Sequence, residues 1–337
     1  MKKILITGGL GFIGHHVALQ LSQNKNFEII LADHEQYFFD KGRHNYNYYL
    51  SIRKQLLNEK GISTIPTDIS NFQAVTDLFK ANTPDIILHF ASLPVAGVAD
   101  YFPHLAKQHI FDSTYNAIHC ASEQHVKQFV YISSSMVYGS FPKDEQGNII
   151  PPAEDFPCNP IDIYGSFKLC GENILKAYHE RKKLAYTIIR PSAVYGFTDC
   201  NFRVTELFAA NALLGKPLLL DNGGQHLLDF TYIDDVVHGL TLTIDNEAAI
   251  NHTFNISRGE SRSIKDLAET LSSIVPATTI ELSEAKPFRP NRGAMNVDKA
   301  KKMLGYNPQF DLTKGIEVYV EKMKAHIASL NYPEKYY

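Results

Sequence analysis

The sequence predicts an α/β fold, a doubly wound parallel sheet followed by a smaller C-terminal α/β lobe. Three observations carry that reading. Short apolar runs alternate with longer amphipathic runs through the first half of the 337 residues, the pattern of strands covered on both faces by crossover helices. The first run, Ile4-Leu5-Ile6, leads directly into Thr7-Gly8-Gly9-Leu10-Gly11-Phe12-Ile13-Gly14, and a helical pattern follows at once. The second half loses the regular alternation and is broken by loops containing Gly and Pro.

In chain order, strands are expected at residues 4–8, 27–32, 62–66, 85–90, 129–133 and 185–190. Between them, apolar residues recurring three and four apart predict helices at 12–23, 46–58, 72–80, 104–125 and 164–181. Residues 36–49, rich in Tyr, Phe, His and Asn, read as a surface loop leading into a helix. Further helices are expected at 204–214, 234–245, 264–274 and 312–324. The division that follows is a Rossmann-type domain over 1–190, with part of 229–260 returning to it, and a second lobe over 191–330 that closes on it. A parallel sheet of this kind binds its ligand beyond the carboxyl ends of the strands.

Bulk properties narrow the function. A net charge of −3 gives no general attraction to nucleic acid. No apolar run approaches the roughly 18 residues that span a bilayer, and the chain enters a strand without a leader pattern. Cys120, Cys158, Cys170 and Cys200 lack metal-ligand spacing, so no metal is expected, and they read as reduced thiols of a cytoplasmic protein.

The glycine turn has a specific chemistry. Gly8 permits a tight turn, Gly11 lets backbone approach a phosphate, and Gly14 lets the helix pack closely. A strand, such a turn and a helix place a dinucleotide pyrophosphate on the helix N-terminus. The second strand ends in Asp33, where a carboxylate accepts from the adenosine ribose hydroxyls and repels a 2′-phosphate; its structural alternative is a loop cap. The expected cofactor is NAD rather than NADP.

Tyr164 and Lys168 stand at i and i+4 on a predicted helix, and so on one face. A cation beside a phenol favours the phenolate, which can take a hydroxyl proton as hydride leaves the same carbon. Ser134, at the end of a predicted strand, can hydrogen-bond the reacting oxygen. The catalytic set is therefore Ser134, Tyr164 and Lys168, with Lys168 also placed to hold the nicotinamide ribose.

These motifs resemble the extended short-chain dehydrogenase/reductases of the NAD-dependent epimerase/dehydratase family, whose members include UDP-glucose 4-epimerase. Thr7 to Gly14 resembles the family's T-G-x-x-G-F-I-G, and Tyr164 with Lys168 its Y-x-x-x-K. Ser133-Ser134-Ser135-Met136-Val137-Tyr138-Gly139 is similar to S-S-x-x-V-Y-G, which puts the catalytic hydroxyl at Ser134. Asp68-Ile69 resembles the pair that meets the adenine, and His89-Phe90-Ala91-Ser92 the segment beside the cofactor. The blocks Arg190 to Gly196, Asp229 to Asp235 and Leu304 to Pro308 match later family motifs. The resemblance implies cofactor contacts from Gly8, Gly11, Phe12, Ile13, Gly14, Asp33, Asp68, Ile69, Phe90, Ala91, Ser92, Tyr164 and Lys168. It also implies a nucleotide-sugar substrate, oxidised transiently to a keto-sugar, and a homodimer built through a four-helix interface.

The activity is then read by elimination. Dehydratases use an acidic pair just after the catalytic hydroxyl, and Ser135 and Met136 supply none. Net reduction generally uses NADPH, which Asp33 disfavours. Epimerisation, of the hexose 4-epimerase type, leads; a nucleotide-sugar 4-dehydrogenase, reductase or decarboxylase is the nearest alternative, and a non-catalytic NAD-binding scaffold is the alternative of another class. Leu228 and Ala193 stand where the family has an Arg and an Asn that touch the substrate diphosphate. Arg289, Arg203 and Arg292, together with Ser135, are the substrate-binding candidates, surface ion pairs being the alternative for the arginines and a substrate without diphosphate the alternative for the site. His15 and His16 read as packing or helix-surface residues, Glu154-Asp155 as solvated, and Tyr138 as a stacking or packing residue.

Overall fold

The computed structural model describes residues 1–37, 42–94, 96–284 and 290–332. Six strands and the helices between them build the first half: β1 (Lys2–Thr7), α1 (Phe12–Leu21), β2 (Phe27–Asp33), α2 (Arg43–Asn58), β3 (Thr64–Pro66), α3 (Phe72–Asn82), β4 (Ile86–His89), α4 (Ala96–Tyr101), α5 (Pro103–Ala106), α6 (Ser113–Glu123), β5 (Gln128–Ile132), α7 (Ile163–Lys182) and β6 (Tyr186–Pro191). The second half contains β7 (Val194–Tyr195), α8 (Val204–Leu213), β8 (Leu218–Asp221), β9 (Leu227–Leu228), β10 (Thr231–Tyr232), α9 (Ile233–Thr241), β11 (His252–Ile256), β12 (Arg262–Ser263), α10 (Ile264–Ile274), β13 (Ile280–Ser283), α11 (Asp298–Leu304) and α12 (Leu312–Lys324).

The main sheet has seven parallel strands in the order β11-β6-β5-β4-β1-β2-β3. The order reverses between β1 and β4, where Ile4 pairs with Ile86 on one side and Ile29 on the other. That reversal opens a crevice at the carboxyl ends of the strands. The predicted doubly wound sheet is present, and β11, from within 229–260, lies beside β6.

The strand sequences explain why both faces are covered. Successive side chains point to opposite faces, so Ile4, Ile6, Ile86, Leu88, Val130 and Ile132 enter one core while Leu5, Ile87, Phe129 and Tyr131 enter the other. Each such side chain, once buried, contributes about 1.5–3 kcal/mol. The first core runs without a break into the C-terminal lobe, where Tyr195, Phe208, Leu267, Ile316 and Tyr319 belong to it. The lobe is therefore seated on one face of the sheet by apolar packing. Its own strands are short pairs: β8 with β13, β7 with β10, and β9 with β12.

The expected helix over 104–125 is interrupted. Residues Lys107–Asp112 form a π-helical turn between α5 and α6, which widens the helix and turns His109 and Ile110 inward. The spacing of apolar residues does not announce that extra residue per turn. Elsewhere the helix ends are capped by side chains: Asn71 accepts from Ala74 N–H at the start of α3, and Ser263 and Asp266 form a reciprocal capping box on α10. Among the described residues, no helix is long and apolar enough to cross a membrane.

Candidate active site

A cavity of about 1920 Å³ lies along the carboxyl ends of the strands, between the sheet and the C-terminal lobe. It is lined at one end by Gly8, Gly11, Phe12, Ile13, Gly14, Asp33, Asp68 and Ile69, and at the other by Ser134, Ser135, Tyr164 and Lys168, with Phe90, Ala91 and Ser92 between. Arg203 and Arg292 also reach it. Every described site candidate read from the sequence lines this one cavity; Arg289 lies outside the described residues.

The glycine turn has the form its spacing requires. Gly8 adopts φ +70°, and a Cβ there would sit 2.6 Å from Ala91 N. A Cβ on Gly14 would meet Gly8 O at 2.4 Å, so the close approach Gly14 permits is to the turn itself. A Cβ on Gly11 would meet only Gly8 O, at 3.0 Å. α1 starts with Gly11 as N-cap, with no side-chain cap and no acid in its first turn. Its first N–H groups and the positive end of its dipole are therefore uncompensated by this chain's side chains, which suits a pyrophosphate.

Asp33 holds the turn in place. Its Oδ2 accepts from Leu10 N at 3.0 Å and its Oδ1 from Glu35 N at 2.9 Å. The loop-capping role is thus real, and each oxygen keeps a lone pair for a ribose hydroxyl. Asp68 Oδ1 accepts from the N–H and hydroxyl of Ser70, at 2.9 and 2.7 Å. Asn116 ties that segment to α6 by donating to Ile69 O and Ser70 O. These residues form a cradle whose donors and carboxylates fit NAD.

At the other end, Ser134 caps a short 3₁₀ turn, Ser135–Tyr138, its Oγ accepting from Met136 N at 3.1 Å. The turn brings its hydroxyl to the Tyr164 phenol, with which it interacts. Asp162 caps α7 by accepting from Gly165 N at 2.8 Å, which fixes Tyr164 in the first helical turn. Lys168, one turn on, is 3% exposed. Its Nζ donates to Ile132 O at 2.8 Å and stands 5.7 Å from the centre of the Tyr164 ring. Burial pulls the Lys168 ammonium down to about 7, and Glu172 opposes that. Burial also pushes the Tyr164 phenol above its ordinary value, against Arg203 and the Ser134 hydroxyl, which draw it down.

A polar network behind the site escaped sequence reasoning. Glu172, four residues beyond Lys168 on α7, forms a two-pronged pair with Arg190: Nη2 to Oε2 at 2.6 Å and Nε to Oε1 at 2.9 Å. Ser133 Oγ donates to Glu172 Oε1 at 2.6 Å, so the same carboxylate anchors the residue before Ser134. Arg190 Nη1 donates to the Tyr138 oxygen at 2.8 Å, and Tyr138 donates in turn to Asn255 Oδ1 at 2.8 Å. Tyr138 is therefore a buried packing and network residue. A carboxylate two helical turns beyond Tyr164, on the same face, was the available signal.

Among the described residues three arginines are almost fully buried, Arg53, Arg190 and Arg292. Arg53 was not singled out from the sequence. It donates to Leu10 O at 2.9 Å and to Thr198 O, joining the glycine turn to the segment after β7. Arg203 is one-third exposed; it donates to Val194 O and Pro94 O and lies 3.9 Å from Asp199. It thus bonds two backbone carbonyls of the cavity lining besides standing near a carboxylate.

His15 bonds Gly11 O at 2.8 Å and Thr198 Oγ1 at 3.3 Å, while His16 bonds Phe197 O at 3.3 Å. Burial drives His15 well below the usual imidazole range and His16 to about 4, so both are neutral packing residues. The expectation that Glu154 is solvated is corrected. Its Oε1 accepts from Asn255 N at 2.8 Å and its backbone oxygen from Arg190, because the loop folds over β6 and β11; Asp155 is exposed. Among the described residues no group of His, Cys, Asp and Glu can hold a metal ion.

Residues 4–257 match the NAD dependent epimerase/dehydratase family. The chain is 28% identical over 320 residues to a Bacillus subtilis protein described as an uncharacterized UDP-glucose epimerase YtcB, covering 93% of this chain and 95% of that one. It is 27% identical over 336 residues to human dTDP-D-glucose 4,6-dehydratase, covering 95% and 89%. Among solved structures, UDP-glucuronic acid 4-epimerase from Bacillus cereus, in complex with UDP-glucuronic acid and NAD, superposes with a TM-score of 0.84 at 25% identity, over 96% of this chain and 99% of that one.

Proposed function

The chain belongs to the NAD-dependent epimerase/dehydratase family, and on that premise we propose that it is a nucleotide-sugar epimerase of the hexose 4-epimerase type. Family membership makes it an NAD-dependent enzyme of isomerase or oxidoreductase type. The observation that carries the finer reading is convergence. Ser134, Tyr164 and Lys168 meet at one end of the cavity whose other end is the glycine turn. The relatives named for UDP-sugar epimerisation support the substrate class.

In this reading NAD, when bound in that cradle, would supply the hydride acceptor for the alcohol carbon and the donor for its return. Residues 1–190, with part of 229–260, hold the cofactor, through Gly8, Gly11, Phe12, Ile13, Gly14, Asp33, Asp68, Ile69, Phe90, Ala91, Ser92 and Lys168; residues 191–330 mainly hold substrate. Ser134 orients the reacting hydroxyl, and Tyr164 Oη takes its proton and later gives it back. Burial opposes charge on both Tyr164 and Lys168. Lys168 Nζ, 5.7 Å from the centre of the Tyr164 ring, favours the phenolate–ammonium pair over the two isolated charges. Glu172 supports the ammonium from one turn away. Ser135 and Met136 offer no acid for elimination of water, which separates this site from a 4,6-dehydratase.

The test is a panel of nucleotide-hexoses, incubated with purified protein in deuterated water. We expect one sugar to equilibrate with its epimer, with no deuterium at the epimerised carbon, because the hydride returns from the coenzyme. Net, stoichiometric oxidation of the sugar would transfer the assignment to a dehydrogenase, and no conversion of any nucleotide-sugar would remove it.

We further infer a homodimer. α6 and α7 lie side by side on one flank of the sheet, and Tyr115 on α6, stacked on His119, is exposed at 41%. A two-fold pairing of these helices would cover that aromatic surface. Sedimentation at micromolar concentration should give twice the 37.9 kDa chain mass; monomer alone would overturn the inference.

A further inference from the structure

We propose that residues 326–332 form a clasp that joins α2 to the C-terminal lobe, closes the adenosine end of the crevice and governs how slowly a bound dinucleotide leaves. The inference rests on the NAD reading of the crevice and is independent of which sugar reacts.

The clasp begins just beyond α12. From there the chain leaves the lobe and runs along α2. Tyr48 Oη and His326 Nδ1 are 2.9 Å apart, His44 Nε2 donates to Ser329 O at 2.9 Å, and Asn331 N donates to Asn45 Oδ1 at 2.7 Å. Asn45 is fully buried, so this last bond is made at the inner face of α2. Tyr332 then turns back into the lobe. Its side chain is buried, its hydroxyl donates to Glu206 Oε1 on α8 at 3.1 Å, and its backbone oxygen accepts from Lys216 Nζ at 3.3 Å. One segment thus holds a helix of the first domain to a helix of the second.

The same Glu206 carboxylate reaches the cavity. Its Oε2 accepts from Phe202 N at 2.6 Å, and the Phe202 ring meets the Tyr332 ring edge-on at 6.3 Å. Phe202 lines the cavity, as do Tyr37 and Tyr46, whose rings stack at 4.6 Å. Tyr46 lies in the field of Asp33, the carboxylate at the adenosine end. Gly42, at φ +86°, leaves no room for a Cβ against the Phe202 ring. The start of α2 and the segment before α8 therefore touch across the mouth of the crevice. Lifting the clasp frees α2 on one side and, through Glu206, Phe202 on the other.

The clasp is also the part of this wall most easily opened. Ala328, Ser329 and Asn331 are exposed, and Tyr332 is the one buried residue in the segment. Segments with few buried apolar contacts open at a small fraction of the global unfolding free energy. A redox-neutral cycle requires such a closure, because a dinucleotide lost between the two hydride steps would strand the keto-sugar.

The experiment loads the full-length protein with NADH, dilutes it into excess NAD, and times the loss of protein-bound NADH fluorescence. Tyr332→Ala and Asn45→Ala, at opposite ends of the clasp, should each speed release by about tenfold or more. With saturating NAD, kcat should stay within about twofold of wild type. Release at the wild-type rate from both variants, even with a lowered melting temperature, makes the segment a structural brace and overturns the clasp. Where a variant does not fold, hydrogen exchange at Asn331 N–H in wild type decides. Saturating NAD should slow that exchange by about tenfold, since a ligand held better by the closed form stabilises it; exchange indifferent to NAD overturns the inference. A wild-type protein that binds neither NAD nor NADH removes the cofactor reading together with the clasp, whereas unchanged release removes the clasp alone.

Discussion

Tyr164→Phe abolishes measurable turnover, lowering kcat by about 10³-fold or more, and leaves NAD binding and the fold at wild-type strength. The expected size follows from the loss of general acid–base catalysis, about 10²–10⁴-fold. The substitution removes one oxygen and keeps the ring, which packs with Leu93, Ala99, Ala106 and Ile110 beneath α4 and α7. Lys168 keeps its bond to Ile132 O, so its ammonium loses only the phenol. What disappears is the group that exchanges a proton with the sugar hydroxyl and that the Ser134 hydroxyl meets. A progress curve for epimer formation, read beside calorimetric NAD binding, separates the outcomes. Retained activity would mean that the base is elsewhere, and would favour a protein that holds NAD without turning it over.

The parts of this site that sequence made legible are those encoded locally. The glycine turn occupies eight adjacent residues, Thr7 to Gly14, and its steric demands are set by those residues and the strand ends they touch. Tyr164 and Lys168 are related by one helical turn. The main strands were legible because each carries apolar residues on both faces, as Ile4, Leu5 and Ile6 do. The less legible parts are encoded at a distance. Glu172 and Arg190 are joined across α7 and β6, and a charged residue in an apolar pattern reads as a break until its partner is known. Arg53 lies on the buried face of α2 with Tyr49 and Leu57, yet its carbonyl partners come from Leu10 and Thr198. The π-helical turn over Lys107–Asp112 leaves no mark in the three-and-four spacing of apolar residues from which a helix is read.

That buried pair leads to the second large effect. Glu172→Gln is expected to destabilise the protein by about 3–5 kcal/mol, because breaking a buried pair leaves the other charge uncompensated. For a chain of this size the melting temperature should fall by about 4–7 °C. Glu172 has no exposed side-chain surface and Arg190 about 2%, so water cannot replace the lost carboxylate. The loss also frees Ser133 Oγ, loosening the strand end that carries Ser134, so kcat should fall along with stability. Replacing both members, Glu172→Leu with Arg190→Met, should be less destabilising than Glu172→Gln alone, since the two desolvation costs vanish together. Part of the cost remains, because Tyr138 loses its guanidinium partner. Thermal and urea unfolding of the single and double variants measures the coupling directly. A Glu172→Gln protein within about 1 kcal/mol of wild type would show that Arg190 is held well enough by Tyr138 and the Glu154 carbonyl, and that the carboxylate contributes little to fixing the catalytic strand end.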